Sequence, residues 1–205
     1  MSQAFSNNSP PRNFTRGQVL AGGTAAAGAL VAGGIFLGGL PRLAISKPSS
    51  AQDQRVLEWL LQVEQLEAAF YGEAEDRGAL NGELAEFAER VGRQERAHVD
   101  ALEKAIGGNA PEAPEFDFKD ATSEPDKFLP AAVELEQIAL AAFNGQVPNL
   151  TRKRLLLAME IASVEGRHVG WARDLAGRNP APRPADRPAT QAEARAAMED
   201  TGFVG

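Results

Sequence analysis

The chain has 205 residues, a net charge of −7 and a hydrophobic content of 43%. This size and composition fit one domain with a single core. The acidic balance argues against a nucleic-acid-binding surface, and no glycine-rich phosphate-binding loop stands between a strand and a helix. Because there is no cysteine, disulfides, thiolate ligands and iron–sulfur clusters are excluded. A bound metal must therefore use oxygen and imidazole ligands.

Residues 1–51 are predicted to be an export signal or a membrane anchor. Residues 19–40 carry no charged side chain, and a stretch of this length can cross a bilayer. Its richness in glycine and alanine favours an export signal over a lasting anchor. Thr15-Arg16-Gly17 resembles a twin-arginine signal, although Gly17 stands where the second arginine is expected, so a general secretory route is the alternative. We expect the protein in the cell envelope, the periplasm or outside the cell, with membrane contact only through this N-terminal segment.

Residues 52–176 are predicted to form four helices. The first carries apolar residues at helical spacing, at Val56, Leu60, Val63, Leu66 and Phe70. The third is expected to be capped by Ser123 or Asp126, with Pro130 in its first turn and a stop at Asn144-Gly145. The four predicted ranges are 52–78, 82–106, about 126–143 and 151–176.

Two segments without a bundle helix are predicted. Residues 107–126 are rich in Pro, Glu and Asp and are long enough to run the length of a bundle, which predicts a long crossover between helices 2 and 3. Residues 177–205 form a proline-rich C-terminal tail with a short helical patch at 191–199. For this tail two alternatives stay open: it packs on the bundle, with Phe203 as an anchor, or it is disordered.

The two histidines of the chain each follow a glutamate by three residues, in Glu95-x-x-His98 and Glu165-x-x-His168. Residues three apart share one face of a helix, so a carboxylate and an imidazole can reach the same ion. Taken singly, such a motif is more often a surface pair. The pattern becomes specific only together with the repeat described next.

A glutamate precedes an aromatic residue by seven positions in two stretches, at Glu64 and Tyr71 and again at Glu136 and Phe143. The two glutamates are 72 residues apart, and the two Glu-x-x-His motifs are 70 residues apart. Two helix pairs that each supply Glu and then Glu-x-x-His predict a di-metal site inside a four-helix bundle. The predicted ligands are Glu64, Glu95, His98, Glu136, Glu165 and His168.

The chemistry of this set favours two divalent ions. Four buried carboxylates need compensating cations, and two divalent ions supply four positive charges. Two iron ions are expected, with manganese as the alternative, and oxygen or peroxide as the reaction partner. Tyr71 is a candidate catalytic residue, either as a hydrogen-bond donor to a ligand or as a redox neighbour; the alternative is a core aromatic. Glu67, Glu73 and Glu134 are expected to face solvent or to support the ligands from behind, and Glu67 is the most relevant of them.

These motifs resemble the ferritin-like superfamily of di-iron carboxylate proteins over residues 52–176. The resemblance is greatest to exported bacterial ferritin-like domain proteins, whose first helix reads Leu-Glu-x-x-Glu-Ala-x-Phe-Tyr. Here residues 63–71 read Val-Glu-Gln-Leu-Glu-Ala-Ala-Phe-Tyr. The resemblance implies an all-α, ferritin-like four-helix bundle with a long crossover between helices 2 and 3.

The resemblance also implies a role for each predicted ligand. Glu64 and Glu136 would each bind one ion, and His98 and His168 would do the same. Glu95 and Glu165 would bridge the two ions. The chain departs from the family pattern at Phe143, where many relatives have tyrosine, and at Gly166, an unusual helix residue between two ligands.

Three functions fit this sequence. The first is an exported di-iron protein that oxidises ferrous iron or reduces oxygen or peroxide. The second is a non-catalytic envelope or stress protein that keeps the bundle with a structural or lost metal site. Iron storage in a closed cage is disfavoured by the export segment and the long tail, whereas a homodimer is compatible with the first two functions.

Overall fold

The computed structural model of this protein describes residues 47–204. Of the predicted export or anchor segment, residues 1–51, the part up to residue 46 lies outside the described residues. Within the described part, no helix combines the length and the apolar character that crossing a membrane requires.

The described residues form an all-α fold, as the sequence predicts. Apart from one isolated bridge between Phe116 and Val204, they contain no β-structure. A short 3₁₀ turn, Val147–Asn149, joins the third and fourth helices. The five α-helices are α1 (Ser50–Arg77), α2 (Gly82–Ile106), α3 (Pro125–Gln146), α4 (Arg152–Leu175) and α5 (Gln191–Asp200).

The residues that flank helix α1 explain where it begins and where it ends. The Ser49 hydroxyl accepts a hydrogen bond from the Gln52 amide at 3.2 Å, which caps the first turn. Gly78 ends the helix in the left-handed region, at φ 59°. The apolar residues predicted for the core of this helix are all buried: Val56, Leu60, Val63, Leu66 and Phe70.

The four long helices form a bundle in which α1 packs against α2 and α3, and α4 packs against α3 and α2. The short 78–81 connection makes α1 and α2 antiparallel. Asp53, at the start of α1, accepts hydrogen bonds from the amide and hydroxyl of Thr151, which follows α3. Phe70, near the end of α1, stacks on Phe128 at the start of α3 with 5.2 Å between ring centroids. Helix α3 therefore also runs antiparallel to α1 and in the same direction as α2.

The connection between α2 and α3 follows α1, as a crossover between two parallel helices requires. Gln65 donates a hydrogen bond to the Pro111 carbonyl at 3.0 Å, and Thr122 donates one to Glu73 at 2.6 Å. Gln65 and Glu73 are eight residues apart on α1, which is about 12 Å of helix. The predicted long crossover is thus present.

The start of α3 differs from its prediction. The helix begins at Pro125, with Glu124 as the N-cap residue, and no side chain caps it. Proline is well suited to this first position because the amide it lacks would have no helical partner there. Pro130 is consequently one turn further into the helix than expected, on its exposed side, where water can satisfy the carbonyl that loses its partner.

The C-terminal tail packs on the bundle. Its helix α5 begins with a reciprocal capping box between Thr190 and Glu193 and packs against α3. Phe203 stacks on Phe70, with ring centroids 6.1 Å apart, and its carbonyl accepts a hydrogen bond from the Asp117 amide at 3.0 Å. Of the two alternatives for the tail, packing with Phe203 as an anchor is the one observed.

Gly145 does not end α3, contrary to the prediction. It lies inside the helix, where the tail crosses so closely that a Cβ atom would sit 1.7 Å from the Ala189 carbonyl oxygen. The Ala189 amide donates a hydrogen bond to the Ala141 carbonyl at 2.8 Å. Glycine at position 145 is therefore explained by the close approach of the tail.

Candidate metal centre

The bundle brings all six predicted ligands together in its interior. Helix α1 supplies Glu64, α2 supplies Glu95 and His98, α3 supplies Glu136, and α4 supplies Glu165 and His168. The four glutamates are each 0% exposed, and the histidines are 8% and 3% exposed. Charged groups this deeply buried are rare unless they are paired or bind a metal.

The first half of the site is built around His98. Its Nδ1 atom lies 3.1 Å from Oε2 of Glu64, 3.0 Å from Oε2 of Glu95 and 3.2 Å from Oε1 of Glu165. One ligand atom from each of these four residues falls within 4.8 Å of the others.

The second half is built around His168. Its Nδ1 atom lies 2.8 Å from Oε1 of Glu95 and 3.4 Å from Oε2 of Glu136. Oε1 of Glu165 is 3.9 Å away. One ligand atom from each of Glu95, Glu136, Glu165 and His168 likewise lies within 4.8 Å of the other three.

The two groups share Glu95 and Glu165 and differ in the other two members. Ligand bonds of about 2.0–2.2 Å place two donors at most about 4.4 Å apart across one ion, so small movements would let each group surround a cation. Oxygen and imidazole donors suit iron, manganese or zinc. The residues present thus fit two neighbouring ions with two shared carboxylates.

Several polar atoms of the site are buried without a hydrogen-bond partner among the described residues. A buried acceptor without a partner costs about 1–3 kcal/mol, and more when it is charged. A metal ion would satisfy these atoms, which supports the assignment. Among the ligand atoms, Oε1 of Glu64 and Oε2 of Glu165 have neither a hydrogen bond nor an ion pair to another described residue.

Burial and mutual repulsion make most of the carboxylates weak acids in the metal-free protein. Burial, together with the charges of Glu165 and Glu95, raises the pKa of Glu64 well above its usual value. Burial and the Glu95 charge raise the pKa of Glu165 to about 8, and burial is the largest cause of the raised pKa of Glu136. Burial also opposes ionisation of Glu95, but hydrogen bonds from His168 and His98 outweigh it and lower its pKa to about 2.

Both imidazoles are held in the charged form when no metal is bound. Burial disfavours the charge on His98, but hydrogen bonds to Glu165, Glu64 and Glu95 raise its pKa to about 12. For His168, hydrogen bonds to Glu136 and Glu95 likewise overcome burial and raise the pKa to about 11. Protons therefore supply the positive charge that the carboxylates need, and a metal must displace them.

Gln94 orients the His168 ring, a contact that the sequence did not predict. Its side-chain oxygen lies 2.6 Å from Nε2 of His168 and accepts the Nε2 hydrogen. Nδ1 then keeps its lone pair available for a metal once its own proton leaves. Gln94 is on α2 and His168 is on α4, 74 residues away, so no spacing in the sequence marks this pair.

Tyr71 touches the site directly. Its hydroxyl donates a hydrogen bond to Oε1 of Glu136 at 2.5 Å. Burial and the Glu136 charge raise the pKa of Tyr71 well above its usual value, so the hydroxyl keeps its proton. Tyr71 is thus a buried aromatic residue whose hydroxyl is hydrogen-bonded to a predicted ligand.

Aromatic rings close the site beyond Tyr71. Phe87 and Phe128 contact the Tyr71 ring edge to face, at centroid distances of 5.8 Å and 6.1 Å. Trp171 packs against Phe87 at 5.1 Å. Such a wall excludes water and lowers the local dielectric constant, which strengthens the electrostatic interactions of the carboxylates.

The other glutamates singled out in the sequence fall into two groups. Glu134 is exposed, and Glu73 binds Thr122 and Arg77 near the surface. Glu67, in contrast, is 1% exposed and lies inside the bundle. Of its two expected environments, solvent or support of the ligands, solvent is therefore excluded.

The two departures from the family pattern have different consequences. Phe143 is fully buried and has no hydroxyl, so it cannot make a hydrogen bond like the one from Tyr71 to Glu136. A Cβ atom at Gly166 would meet no atom within 4 Å, so close helix packing does not explain this glycine.

The four-helix bundle thus holds a cluster of four glutamates and two histidines that is compatible with a di-metal site. The family model described as Ferritin-like domain matches residues 52–178. Because this match covers more than half of the chain, the protein belongs to the ferritin-like domain family. A search of curated proteins found no match to the chain.

Proposed function

We propose that this protein is an exported di-iron protein that oxidises ferrous iron with oxygen or peroxide. One observation carries the proposal: two groups of buried ligands share Glu95 and Glu165 and leave acceptor oxygens without partners among the described residues. Two ions would be held side by side at such a site, as a two-electron reaction needs.

The protein residues would have distinct tasks in this reaction. Glu64 and His98 hold one position, Glu136 and His168 hold the other, and the shared carboxylates keep the two positions adjacent. Two bound ferrous ions would supply two electrons, which with two protons convert peroxide to two water molecules or oxygen to one molecule of peroxide. The aromatic wall beyond Tyr71 keeps bulk water away from the carboxylates.

Tyr71 would be a positioning residue that acts through Glu136. Hydrogen bonds to charged groups contribute about 1.5–3 kcal/mol. The Tyr71→Phe variant should therefore bind two ions with about tenfold weaker affinity for one of them, as measured by metal titration. An unchanged affinity would leave Tyr71 as a core aromatic only.

The direct test is iron loading of the protein purified from cells that express the full chain. Anaerobic addition of ferrous iron should give about two bound ions per chain by elemental analysis, and admission of oxygen or peroxide should consume the oxidant in proportion. Glu165→Ala should abolish both. Glu160→Ala, which removes an exposed carboxylate from the same helix, should change neither.

The second candidate is a non-catalytic envelope or stress protein with the same bundle. The observation that favours it is the chemistry of the metal-free site, where two charged imidazoles already balance carboxylates. Full stability without metal, together with no oxidation of added ferrous iron, would support this candidate and refute the first.

Export and assembly are part of the proposal. The uncharged stretch at residues 19–40 supports export, and an intact N-terminus on protein recovered only from the cytoplasm would contradict it. We also propose a homodimer: Leu156 and Met159 on α4 are 58% and 51% exposed, and paired exposed apolar residues favour self-association. A monomer mass in solution at micromolar concentration would refute the dimer.

A further inference from the structure

A small cavity lies where the C-terminal tail meets α3 and α4. Its volume is about 150 Å³, whereas pockets for larger organic ligands occupy roughly 300–1,000 Å³. The buried side chains of Leu140 and Val169 form its apolar part. None of its lining residues is a predicted metal ligand. The cavity is therefore separate from the metal centre and is sized for a small molecule or ion.

Three arginines converge on this cavity. Arg173 comes from α4, and Arg183 and Arg187 come from the tail. Asp186 is the one acidic residue in the lining that the structure describes, so the formal charge of the cavity wall is +2. This positive site stands out in a chain whose net charge is −7.

The arginines of the cavity are not neutralised by neighbouring carboxylates. Within residues 47–204, none of the three forms an ion pair, and neither does Asp186. Arg173 donates a hydrogen bond to the side-chain oxygen of Gln137, but its Nε is buried and has no acceptor among those residues. Converging like charges repel one another, and a buried donor without a partner is destabilising. An anion in the cavity would remove both costs.

The tail is held beside the cavity by contacts that do not involve these arginines. The Ala189 amide donates a hydrogen bond to the Ala141 carbonyl at 2.8 Å. Prolines at positions 182, 184 and 188 restrict the backbone that carries the two tail arginines. Because this backbone is already restricted, binding of an anion requires little further ordering of the chain.

We propose that this cavity binds a small dianionic oxyanion of the phosphate class. A phosphate group carries a charge of about −1.5 to −2 at pH 7, which matches the +2 of the wall. Guanidinium groups donate paired hydrogen bonds to phosphate oxygens, and Nε of Arg173 is a donor without another use. The recognised chemistry is the same for free phosphate and for the end of a phosphate monoester. This site does not depend on the proposed function.

The probe for the test is inorganic phosphate, titrated at pH 7 into the full chain without added metal, so that phosphate held by a metal does not contribute. Isothermal titration calorimetry should show saturable binding of one phosphate per chain. Phosphate should also raise the melting temperature more than chloride at equal ionic strength, since a ligand of the folded state stabilises it. Sulfate should compete with phosphate, and acetate, with one charge, should bind at least about tenfold more weakly.

Substitutions at the exposed tail arginines test the site without disturbing the core. Arg183→Gln and Arg187→Gln should each weaken phosphate binding about tenfold, because each removes charge-assisted hydrogen bonds, and the double variant should bind none. Arg173→Lys keeps the charge and removes the Nε donor, so it should also weaken binding. The melting temperature without phosphate reports any structural effect of these changes separately.

Arg178→Gln is the matched control, since Arg178 is an exposed arginine at the start of the tail and does not line the cavity. It should keep the wild-type phosphate affinity. All these variants should bind as many zinc ions as the wild-type protein, so this test and that of the proposed function can fail independently.

A comparison of inorganic phosphate with glycerol 3-phosphate distinguishes the two sources of the oxyanion. Tighter binding of the first would identify free phosphate as the ligand, and tighter binding of the second would identify a monoester. Equal stabilisation of the wild-type protein by phosphate and chloride at the same ionic strength would overturn the proposal. Wild-type phosphate affinity in the double variant of Arg183 and Arg187 would overturn it as well.

Discussion

Loading of the metal centre should release about three protons per pair of ions at pH 7. The perturbation is the addition of a divalent ion such as zinc or cobalt to the metal-free protein. His98 and His168, with pKa values of about 12 and about 11, are protonated at this pH. Each must lose the proton on Nδ1 before it can donate a lone pair to a metal.

Glu165 supplies most of the third proton. With a pKa of about 8, its carboxyl is about 90% protonated at pH 7 and ionises when a cation binds. Glu95, with a pKa of about 2, is already ionised and releases nothing. Since the pKa of Glu64 is also raised, three is the lower bound.

Proton release fixes the pH dependence of metal affinity. Each released proton contributes about 1.4 kcal/mol of binding free energy per pH unit, so the affinity for the pair should rise by about 4 kcal/mol per unit near pH 7. At pH 8 Glu165 is half ionised before metal binds, and the release should fall by about 0.4 proton relative to pH 7.

Isothermal titration calorimetry measures the number of protons released when metal binds. Zinc is added to the metal-free protein at pH 7 in several buffers that differ in ionisation enthalpy, and the slope of the observed enthalpy against that quantity gives the protons released. The Glu160→Ala protein serves as the control and should give the wild-type slope. Release of one proton or fewer would refute the conclusion that both imidazoles are charged in the metal-free centre.

Three further predictions concern stability and packing. In the metal-free protein, the raised pKa values of Glu165 and His168 mean that the folded state holds more protons than the unfolded state. The melting temperature should therefore fall as pH rises from about 5 to 8. A melting temperature that rises with pH would contradict the raised pKa values. Gly166→Ala should increase the free energy of unfolding by about 1 kcal/mol, since a Cβ atom there meets nothing within 4 Å. The number of metal ions bound per chain should not change. Weaker metal binding would show that the ligands need glycine at position 166. Gly145→Ala should displace the tail, because its Cβ atom would overlap the Ala189 carbonyl, and limited proteolysis should then cut residues 178–190 faster than in wild type; an equal rate would indicate that α3 and the tail adjust.

The helix pattern and the six clustered residues could be predicted because both depend on spacing within single helices. Apolar residues at helical intervals identify the buried face of α1, and Glu-x-x-His identifies one face of α2 and of α4. The same spacing puts Glu67 one helical turn from Glu64, so support of the ligands was one of its two expected environments. Spacing alone could not decide between that environment and solvent, because a glutamate on a helix usually faces solvent.

The features that the sequence did not reveal depend on contacts between distant segments. Gln94 contacts His168 across two helices, and the use of Gly145 depends on where the tail crosses α3. The start of α3 was placed wrongly because two residues with good capping side chains, Ser123 and Asp126, flank it. The helix begins at Pro125 instead, because proline is favoured in the first turn of a helix.

The repeat supplies the ligands in equal halves, but the helices α1 and α3 that carry it differ at two equivalent positions. Where α1 has Glu67 and Tyr71, α3 has Ala139 and Phe143. Both polar additions are on α1, and Tyr71 is hydrogen-bonded to Glu136 on the facing helix. The hydrogen bond from Tyr71 reaches Glu136, and Phe143 at the equivalent position has no hydroxyl to donate. The two halves of the centre therefore differ in their hydrogen bonding although their ligands match in type.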